Sequence, residues 1–326
     1  MLQEKQFPYD LSIVIPLLNE AESLPFLQER IEATMKAAEM CYEVIYIDDG
    51  STDNSWSVIK SLHAAYPERI KALRFVRNNG KSAALQCGFT KAAGRLVATM
   101  DADLQDAPEE LPAMCRMIYE ENLDLVSGWK KTRYDPKLTK NLPSKLFNAT
   151  ARRVSGIHNL HDFNCGIKVY RQEVIKSIEL YNDMHRYIPI MAKEAGYARI
   201  GEKEVKHAPR TYGHSKFGIN RFFHGYLDLL TLWFMSRFGR RPMHFFGFWG
   251  SIIFLIGIIA LIVVFVIKLV ALTRGVAAPL VTDRVYFFIA ITAMIIGTQL
   301  FTAGFIGEIL SRNALNRNQY NIKEEL

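Results

Sequence analysis

The sequence predicts an α/β domain with a mostly parallel sheet, followed by a membrane-embedded C-terminal region. Three observations predict it. Apolar runs of strand length alternate with helical patterns through the N-terminal part of the chain, the pattern of βαβ units. Three of those runs end in polar, mostly acidic residues. Near the C-terminus, two stretches of 23 residues, 245–267 and 285–307, carry no charged side chain.

Taken in order, Leu11 to Glu20 reads as a buried strand entering a polar turn, with Pro16 near its end, where a missing N–H does least harm. A helical pattern follows to about Glu39. Tyr42 to Ser51 repeats the format of apolar strand, acidic tip and glycine turn, and Ser51 or Asp53 is placed to cap the next helix, which carries Trp56 and Ile59. A third strand is expected over Ile70 to Val76, then a turn at 78–82 and a small-residue helix to Ala93. The fourth strand, Arg95 to Met100, runs into Asp101-Ala102-Asp103-Leu104-Gln105-Asp106. Open α/β sheets bind ligands at the C-terminal ends of their strands, so Asn19/Glu20, Asp48/Asp49 and Asp101/Asp103 are expected on one lip. Carboxylates at i and i+2 beside an amide form a hard-oxygen set suited to Mg²⁺ or Mn²⁺, an ion that shares its other positions with water and phosphate. A lone Asp-x-Asp is more often a solvated acidic turn; three acidic strand tips in succession favour a shared nucleotide-phosphate-metal site.

Bulk properties narrow the field. The chain has 326 residues, 49% hydrophobic, with a formal net charge of +7. Cys41, Cys87, Cys115 and Cys165 are scattered without a Cys-x-x-Cys pair, which argues against a zinc site and a disulfide framework and fits a reducing compartment. Met1 to Asp10 is polar, with no apolar signal core. Neither a Gly-x-x-x-x-Gly-Lys-Ser/Thr loop nor a Gly-x-Gly-x-x-Gly turn is present, so phosphate charge must be met by a metal and by side chains.

Val14-Ile15-Pro16 with Asn19-Glu20, Asp48 through Asp53, Asn79-Gly80-Lys81 with Ala84-Leu85, and Asp101 through Asp106 together resemble family 2 glycosyltransferases of the GT-A fold, a Rossmann-like architecture. The closest resemblance is to the polyprenyl-phosphate branch, which includes the dolichyl-phosphate mannose and undecaprenyl-phosphate glucose transferases, and it extends through the tail. The resemblance implies that Pro16, Leu18, Glu20 and Asp49 line a nucleoside pocket, that Asp101 helps hold the nucleotide, and that Asp103 and Gln105 bind the metal bridging the diphosphate. Lys81 is either a diphosphate partner or a surface lysine.

Asp124 to Lys130 reads as another strand. Lys130, Lys131, Arg133, Lys137, Lys140 and Lys145 then form either a solvated basic face or a surface meeting phosphate on an anionic membrane, with a short amphipathic helix over about 142–154. His161 through Lys168 resembles the family's Asp-x-x-Cys-Gly-Phe/Ile-Lys motif, whose functional carboxylate is Asp162 here. A lipid monophosphate is largely ionised near pH 7, its second pKa being about 6, so it needs positioning more than deprotonation. Asp162 is therefore assigned to the acceptor side. His158, His161 and His185 lack metal-ligand spacing. Arg210 through Phe217 resembles the family's Arg-x-x-Gly-x-Ser-Lys-Tyr/Phe loop, which implies that Arg210, Ser215 and Lys216 close over the donor diphosphate, with Gly213 and Gly218 permitting a hinge. Asp103, Asp162 and Arg210 are the expected catalytic set.

Four regions follow: a cytosolic catalytic domain over 1–217, an interfacial amphipathic helix over 218–242, two membrane helices within 243–310 and a cytosolic tail over 311–326. Each uncharged run is long enough to span a bilayer. Arg237, Arg240 and Arg241 precede the first and Arg312, Arg317 and Lys323 follow the second, which predicts a multi-pass protein with both termini in the cytosol, and the resemblance implies that the membrane is a bacterial inner membrane. Gly297, Gly304 and Gly307 offer small-residue faces for packing within the hairpin or between protomers of a homo-oligomer. The resemblance implies transfer of one sugar from a nucleotide sugar, UDP-glucose first and GDP-mannose as the alternative, to undecaprenyl phosphate, with inversion. Membrane lipids are expected partners and nucleic acid is not. A processive polysaccharide synthase is a rival, weakened by the lack of a Gln-x-x-Arg-Trp pattern. A non-catalytic membrane adaptor is another, weakened by the intact acidic motifs.

Overall fold

The computed structural model describes residues 7–131, 148–149, 151–153, 155–180, 184–208, 234, 242–275, 280–313 and 322–325. The chain forms two compact units. One comprises Met1–Leu229 with Arg317–Leu326, the other Leu230–Asn316.

In the first unit, β1 (Leu11–Leu17), β2 (Tyr42–Asp48), β3 (Ile70–Phe75) and β4 (Leu96–Thr99) alternate with α1 (Leu24–Ala37), α2 (Ser55–Ala65) and α3 (Lys81–Lys91). α4 (Leu111–Glu120) leads to β5 (Leu125–Trp129), and β6 (Lys168–Arg171), α5 (Gln172–Ser177), α6 (Ile188–Glu194) and β7 (Ile200–Glu204) complete the fold before the second unit. The first unit then receives a last strand, β8 (Ile322–Glu325), from the C-terminal tail. The eight-stranded sheet runs β7-β5-β6-β4-β1-β2-β3-β8. β4, β1, β2 and β3 are mutually parallel, whereas β6 is antiparallel to both neighbours and β8 is antiparallel to β3.

β1 and β2 are buried on both faces, as continuous apolar runs in a parallel sheet require. Ile13, Ile15, Val44 and Tyr46 pack with Leu27, Ile31 and Met35 of α1 in the same core cluster. Pairing of Leu17 with Asp48, and of Val14 with Thr99, brings the C-terminal ends of β1, β2 and β4 to one edge. Capping of α2 differs from expectation. The Ser51 N–H donates to Asp48 Oδ1 at 2.7 Å and its Oγ accepts the Asn19 N–H at 2.9 Å, so Ser51 ties two turns together. Asp53 instead accepts the Ser55 N–H at 3.0 Å, at the first residue of α2.

In the second unit, α7 (Pro242–Thr273) and α8 (Val285–Asn313) form an antiparallel hairpin. A Cβ on Gly250 would lie 2.7 Å from the Gly297 carbonyl oxygen, and one on Gly297 would lie 2.7 Å from that of Gly250. A Cβ on Gly304 would approach Phe246 Cβ at 2.9 Å. Two of the three glycines proposed for helix packing are thus used inside the hairpin, where small residues let backbones approach closely. The outward faces are apolar and open: Phe265 is 63% exposed and Ile256 58%. Buried core helices of a soluble domain do not look like this, and both helices are candidate membrane spans. The proposed interfacial helix over 218–242 lies almost wholly outside the described residues.

Candidate active site

The lip of the sheet carries a cleft of about 350 Å³. Pro16, Leu18 and Glu20 line it from the end of β1, and Asp49 from the end of β2. Gly80 and Lys81 at the start of α3 close one side, and Asp101 and Asp103 beyond β4 close the other. Seven residues assigned from sequence to donor binding or catalysis therefore meet in one cavity.

Local chain geometry places each of them. Gly50 adopts φ of +76°, and a Cβ there would sit 2.7 Å from the Arg77 carbonyl carbon, so glycine is required where the turn after β2 passes the one after β3. Asp49 Oδ1 accepts the Asn79 N–H at 2.7 Å and Oδ2 accepts the Gly80 N–H at 2.9 Å. Burial raises the Asp49 carboxyl above its usual range, outweighing those two bonds. Asp48 is spent structurally, against the Ser51 N–H and Arg74 Nε at 3.3 Å.

Beyond β4, Lys81 Nζ forms an ion pair with Asp101 Oδ1. Burial works to raise the Asp101 carboxyl, but Lys81, reinforced by Lys130 and His185, holds it down at about 2. A depressed carboxylate contributes stability above its unfolded pKa of about 4, and here that contribution is lost only as pH falls toward the folded value. Asp103 Oδ1 accepts the Gln105 N–H at 3.2 Å across Leu104, which adopts φ of 61°. A left-handed leucine costs on the order of 1–2 kcal/mol. Leu104 tolerates it because its side chain is packed into the core, and the bend re-aims the chain between Asp103 and Gln105. Gln105 does not line the cleft; its carbonyl accepts the Ala208 N–H at 3.1 Å.

A second layer stands behind the Asp101 turn. Asp106 Oδ2 accepts the Asp101 N–H at 3.1 Å, and Asp106 Oδ1 meets Lys130 Nζ at 2.7 Å. Lys130 thus leaves the basic face expected for it: its side chain is 12% exposed, because Asp106 lies across from the end of β5. Burial opposes its charge, but Asp106 wins and lifts the ammonium above its ordinary range. Gly166 closes this layer, since a Cβ there would lie 2.7 Å from carboxylate oxygens of both Asp101 and Asp106. Its carbonyl accepts Thr99 Oγ1–H at 2.9 Å. Burial pushes the neighbouring Cys165 thiol up to about 12, with Asp162 adding to the rise, which removes it as a nucleophile at neutral pH. Buried Lys168 donates to the Cys165 carbonyl, and burial lowers its ammonium. His185 pairs with Ser82 Oγ at 3.0 Å, and burial, then Lys81, keeps it neutral well below its usual value.

Asp162 is 1% exposed and does not line the cleft. Its Oδ1 accepts the Asn164 N–H at 3.2 Å, and its own N–H donates to Glu202 Oε1 at 3.1 Å. Arg210, Ser215 and Lys216 lie outside the described residues, as do Arg133, Lys137, Lys140 and Lys145. Sequence reasoning placed Asp106, Gly166 and Lys168 only within motifs, with no role of their own, and set Lys130 on a basic face. For Lys130 the available signal was its place directly after an apolar strand, opposite the acidic turn.

A divalent ion fits this cleft on stated terms. Among the described residues no group of three or more His, Cys, Asp and Glu side chains could hold a metal. The cleft carries the carboxylates of Glu20, Asp49, Asp101 and Asp103; Asp49 accepts two backbone N–H groups and Asp101 pairs with Lys81, and Asp103 is the one that would hold an ion whose other ligands would be phosphate oxygens and water.

The profile of Glycosyl transferase family 2 matches residues 12–179, which contain the cleft, the Asp106–Lys130 pair and Asp162. Dodecaprenyl-phosphate galacturonate synthase from Rhizobium johnstonii is 35% identical over 304 residues, 93% of this chain and 88% of that protein. Undecaprenyl-phosphate 4-deoxy-4-formamido-L-arabinose transferase from Proteus mirabilis is 34% identical over 302 residues, again 93% and 88%. Among solved structures, glucosyl-3-phosphoglycerate synthase from Mycobacterium tuberculosis, bound to Mn²⁺, UDP-glucose and phosphoglyceric acid, superposes with a TM-score of 0.54 at 15% identity, covering 70% of this chain and 79% of that one. Mannosyl-3-phosphoglycerate synthase from Rubrobacter xylanophilus gives 0.55 at 16% identity, covering 70% and 74%. Those two likenesses establish the fold. Cleft, sheet order and family match agree, and the chain belongs to glycosyltransferase family 2, an enzyme with a GT-A-type catalytic domain.

Proposed function

We propose that this enzyme transfers one sugar from a nucleoside diphosphate sugar, uridine-linked by family resemblance, to a polyprenyl phosphate at the cytosolic face of a bacterial inner membrane. The observation that carries this reading is the cleft itself, which joins a nucleoside-sized wall at Pro16, Leu18, Glu20 and Asp49 to the Lys81–Asp101–Asp103 charge cluster. Asp103 would hold Mg²⁺ or Mn²⁺; Gln105, expected from sequence to share the ion, does not line the cleft and meets Asp103 through its backbone N–H. The bound ion supplies Lewis-acid stabilisation of the departing diphosphate. Lys81 and Asp101 fix the cleft wall, and the Arg210, Ser215 and Lys216 loop clamps phosphate oxygens. The acceptor phosphate oxygen forms a bond to the anomeric carbon as the bond to the donor diphosphate breaks, with inversion. The nucleoside diphosphate leaves with that electron pair. A dianionic acceptor has no proton to lose, so no base need touch it. Buried Asp162 accordingly acts by ordering the segment that carries Cys165, Gly166 and Lys168 rather than by contact.

The polyprenyl acceptor is supported by the two curated relatives, both named for such phosphates. The tail supports the topology: β8 adds to the sheet of the first unit, so the chain up to Leu229 and the chain from Arg317 onward belong to one body. Two crossings by α7 and α8 return the chain to the side it left. Both arginine-rich flanks then fall on the cytosolic side. The domain limits of 1–217, 218–242, 243–310 and 311–326 are retained within this reading.

The sugar is decided by a donor panel. Membranes or purified protein supplied with polyprenyl phosphate and UDP-glucose, UDP-galacturonate, UDP-4-deoxy-4-formamido-L-arabinose or GDP-mannose are expected to give one labelled monoglycosyl lipid by thin-layer analysis. A polymeric product would transfer support to the processive synthase, and no lipid product from any donor would support the adaptor. In the same assay Arg210→Ala is expected to raise the donor KM by about tenfold, the value of one charge-assisted contact, while membrane association stays unchanged. Lost membrane association with unchanged donor KM would place the loop elsewhere.

A further inference from the structure

The start of the segment that carries Asp162 is held by an acid on β7, beyond the stretch that the family profile matches. Glu202 lies in register with Ser127 of β5, and its side chain is 8% exposed. Its neighbours on the strand face other partners: Lys203 pairs with Glu110, and Glu204 with Lys131 at 3.2 Å. Glu202 turns to the segment itself. Its Oε1 accepts the His161 N–H at 2.6 Å and the Asp162 N–H at 3.1 Å, and its Oε2 meets His161 Nδ1 at 2.6 Å. The His161 ring also stacks on Trp129 at the end of β5, with centroids 4.2 Å apart and planes 17° apart. A carboxylate withdrawn from water must recover its hydration from the protein, and charge-assisted bonds from one short stretch of chain do so here. Two of those donors are backbone N–H groups, so the carboxylate fixes the path of the chain as well as a side chain.

The far end of the segment reaches the acidic turn. Gly128 of β5 makes room for it, since a Cβ there would lie 2.7 Å from Ile167 Cγ2 and 3.1 Å from Cys165 Sγ. The Gly128 N–H donates to the Ile167 carbonyl at 3.0 Å. Between Cys165 and Ile167, Gly166 packs against the carboxylates of Asp101 and Asp106. Close-packed interiors transmit a displacement rather than absorb it. A shift of residues 161 and 162 therefore passes along the segment to the turn that presents Asp103.

We propose that Glu202 is a positioning residue: it clamps the backbone of His161 and Asp162 and so holds the segment that packs against the Asp101–Asp106 turn. Glu202 does not line the cleft and acts through that segment. The clamp rests on the contacts above, and its kinetic consequence rests on the proposed transfer. Misplacing reacting groups by about 1 Å costs on the order of a hundredfold in rate. The nucleoside wall at Pro16, Leu18, Glu20 and Asp49 comes from the ends of β1 and β2, outside the segment, so donor binding is spared.

Two measurements on the full-length protein in detergent test it. Hydrogen exchange read by mass spectrometry reports the clamped N–H groups directly and needs no activity. Glu202→Ala should speed exchange by at least about tenfold in peptides covering 161–168, and also raise it over 101–106. Glu202→Gln, which keeps one acceptor oxygen for the two N–H groups, should stay near wild type. Unchanged exchange over 161–168 in the alanine variant overturns the clamp, and a rise there with none over 101–106 overturns the link to the turn. Steady-state transfer reads the consequence: Glu202→Ala should lower kcat by at least about tenfold with donor KM within about twofold, and Glu202→Gln should restore kcat. His161→Ala is the comparison, since it removes the ring contacts but leaves both N–H groups on Glu202. It should lower Tm with kcat close to wild type. An equal fall in kcat for His161→Ala and Glu202→Ala would mean lost stability alone and overturns the positioning role. Absence of transfer by the wild type counts against the reaction proposed above and leaves exchange to decide the clamp.

Discussion

Replacing Asp103 with alanine is expected to reduce sugar transfer by at least about a thousandfold and to leave the protein folded. Asp103 is half-buried on the cleft wall, and its carboxylate accepts the Gln105 N–H at 3.2 Å. Losing a bond of that kind costs about 1 kcal/mol. On the proposed reading, losing the carboxylate that would hold a metal at a departing diphosphate removes several kcal/mol of transition-state stabilisation. The two magnitudes make the experiment decisive: transfer and thermal unfolding, measured on the same preparation, should separate completely. Asp103→Asn keeps the shape and the Gln105 contact but halves the oxygen ligands and removes the charge, so it should resemble alanine in activity and wild type in stability. Unchanged turnover in either variant would remove Asp103 from the metal site.

How much of this was legible in the sequence differs by layer. The strands that end at the cleft could be read because each is a continuous apolar run with a polar tip, and parallel pairing then brings such tips together without further information. Pro16, Leu18, Glu20, Asp49, Lys81, Asp101 and Asp103 consequently fall on one cavity. β6 and β7 were missed: Lys168–Arg171 holds four residues with a lysine and an arginine, and Ile200–Glu204 holds two glutamates and a lysine, so neither shows an apolar signal of its own. Tertiary pairing makes them strands. β8 is similar, with charges at three of its four positions, and forms only because β3 offers an open edge. The Lys130–Asp106 pair escaped because a lysine in a basic run looks solvated, and only the fold reveals a carboxylate opposite it.

Replacing Lys130 with methionine is expected to lower stability by about 3 kcal/mol and to abolish efficient transfer, although Lys130 does not line the cleft. Methionine matches the length of the side chain but leaves the Asp106 carboxylate, which is fully buried, without its cation. For a unit of this size the loss corresponds to a fall in Tm of roughly 10 °C. Asp106 cannot simply swing away, because its other oxygen accepts the Asp101 N–H at 3.1 Å and Gly166 packs too close to leave room. Movement of Asp106 therefore becomes movement of the Asp101–Asp103 turn. A double variant, Lys130→Met with Asp106→Leu, separates the structural part of the effect from the positional part. An apolar pair in place of a buried ion pair is often neutral or stabilising, so most of the lost Tm should return, less the cost of an unpaired Asp101 N–H. Transfer should not return, because no acceptor then fixes the Asp101 backbone and the turn that presents Asp103 is free to shift. Recovery of turnover together with Tm would mean that the pair only stabilises the fold; recovery of Tm alone assigns Asp106 and Lys130 to holding the metal-binding turn in register with the donor.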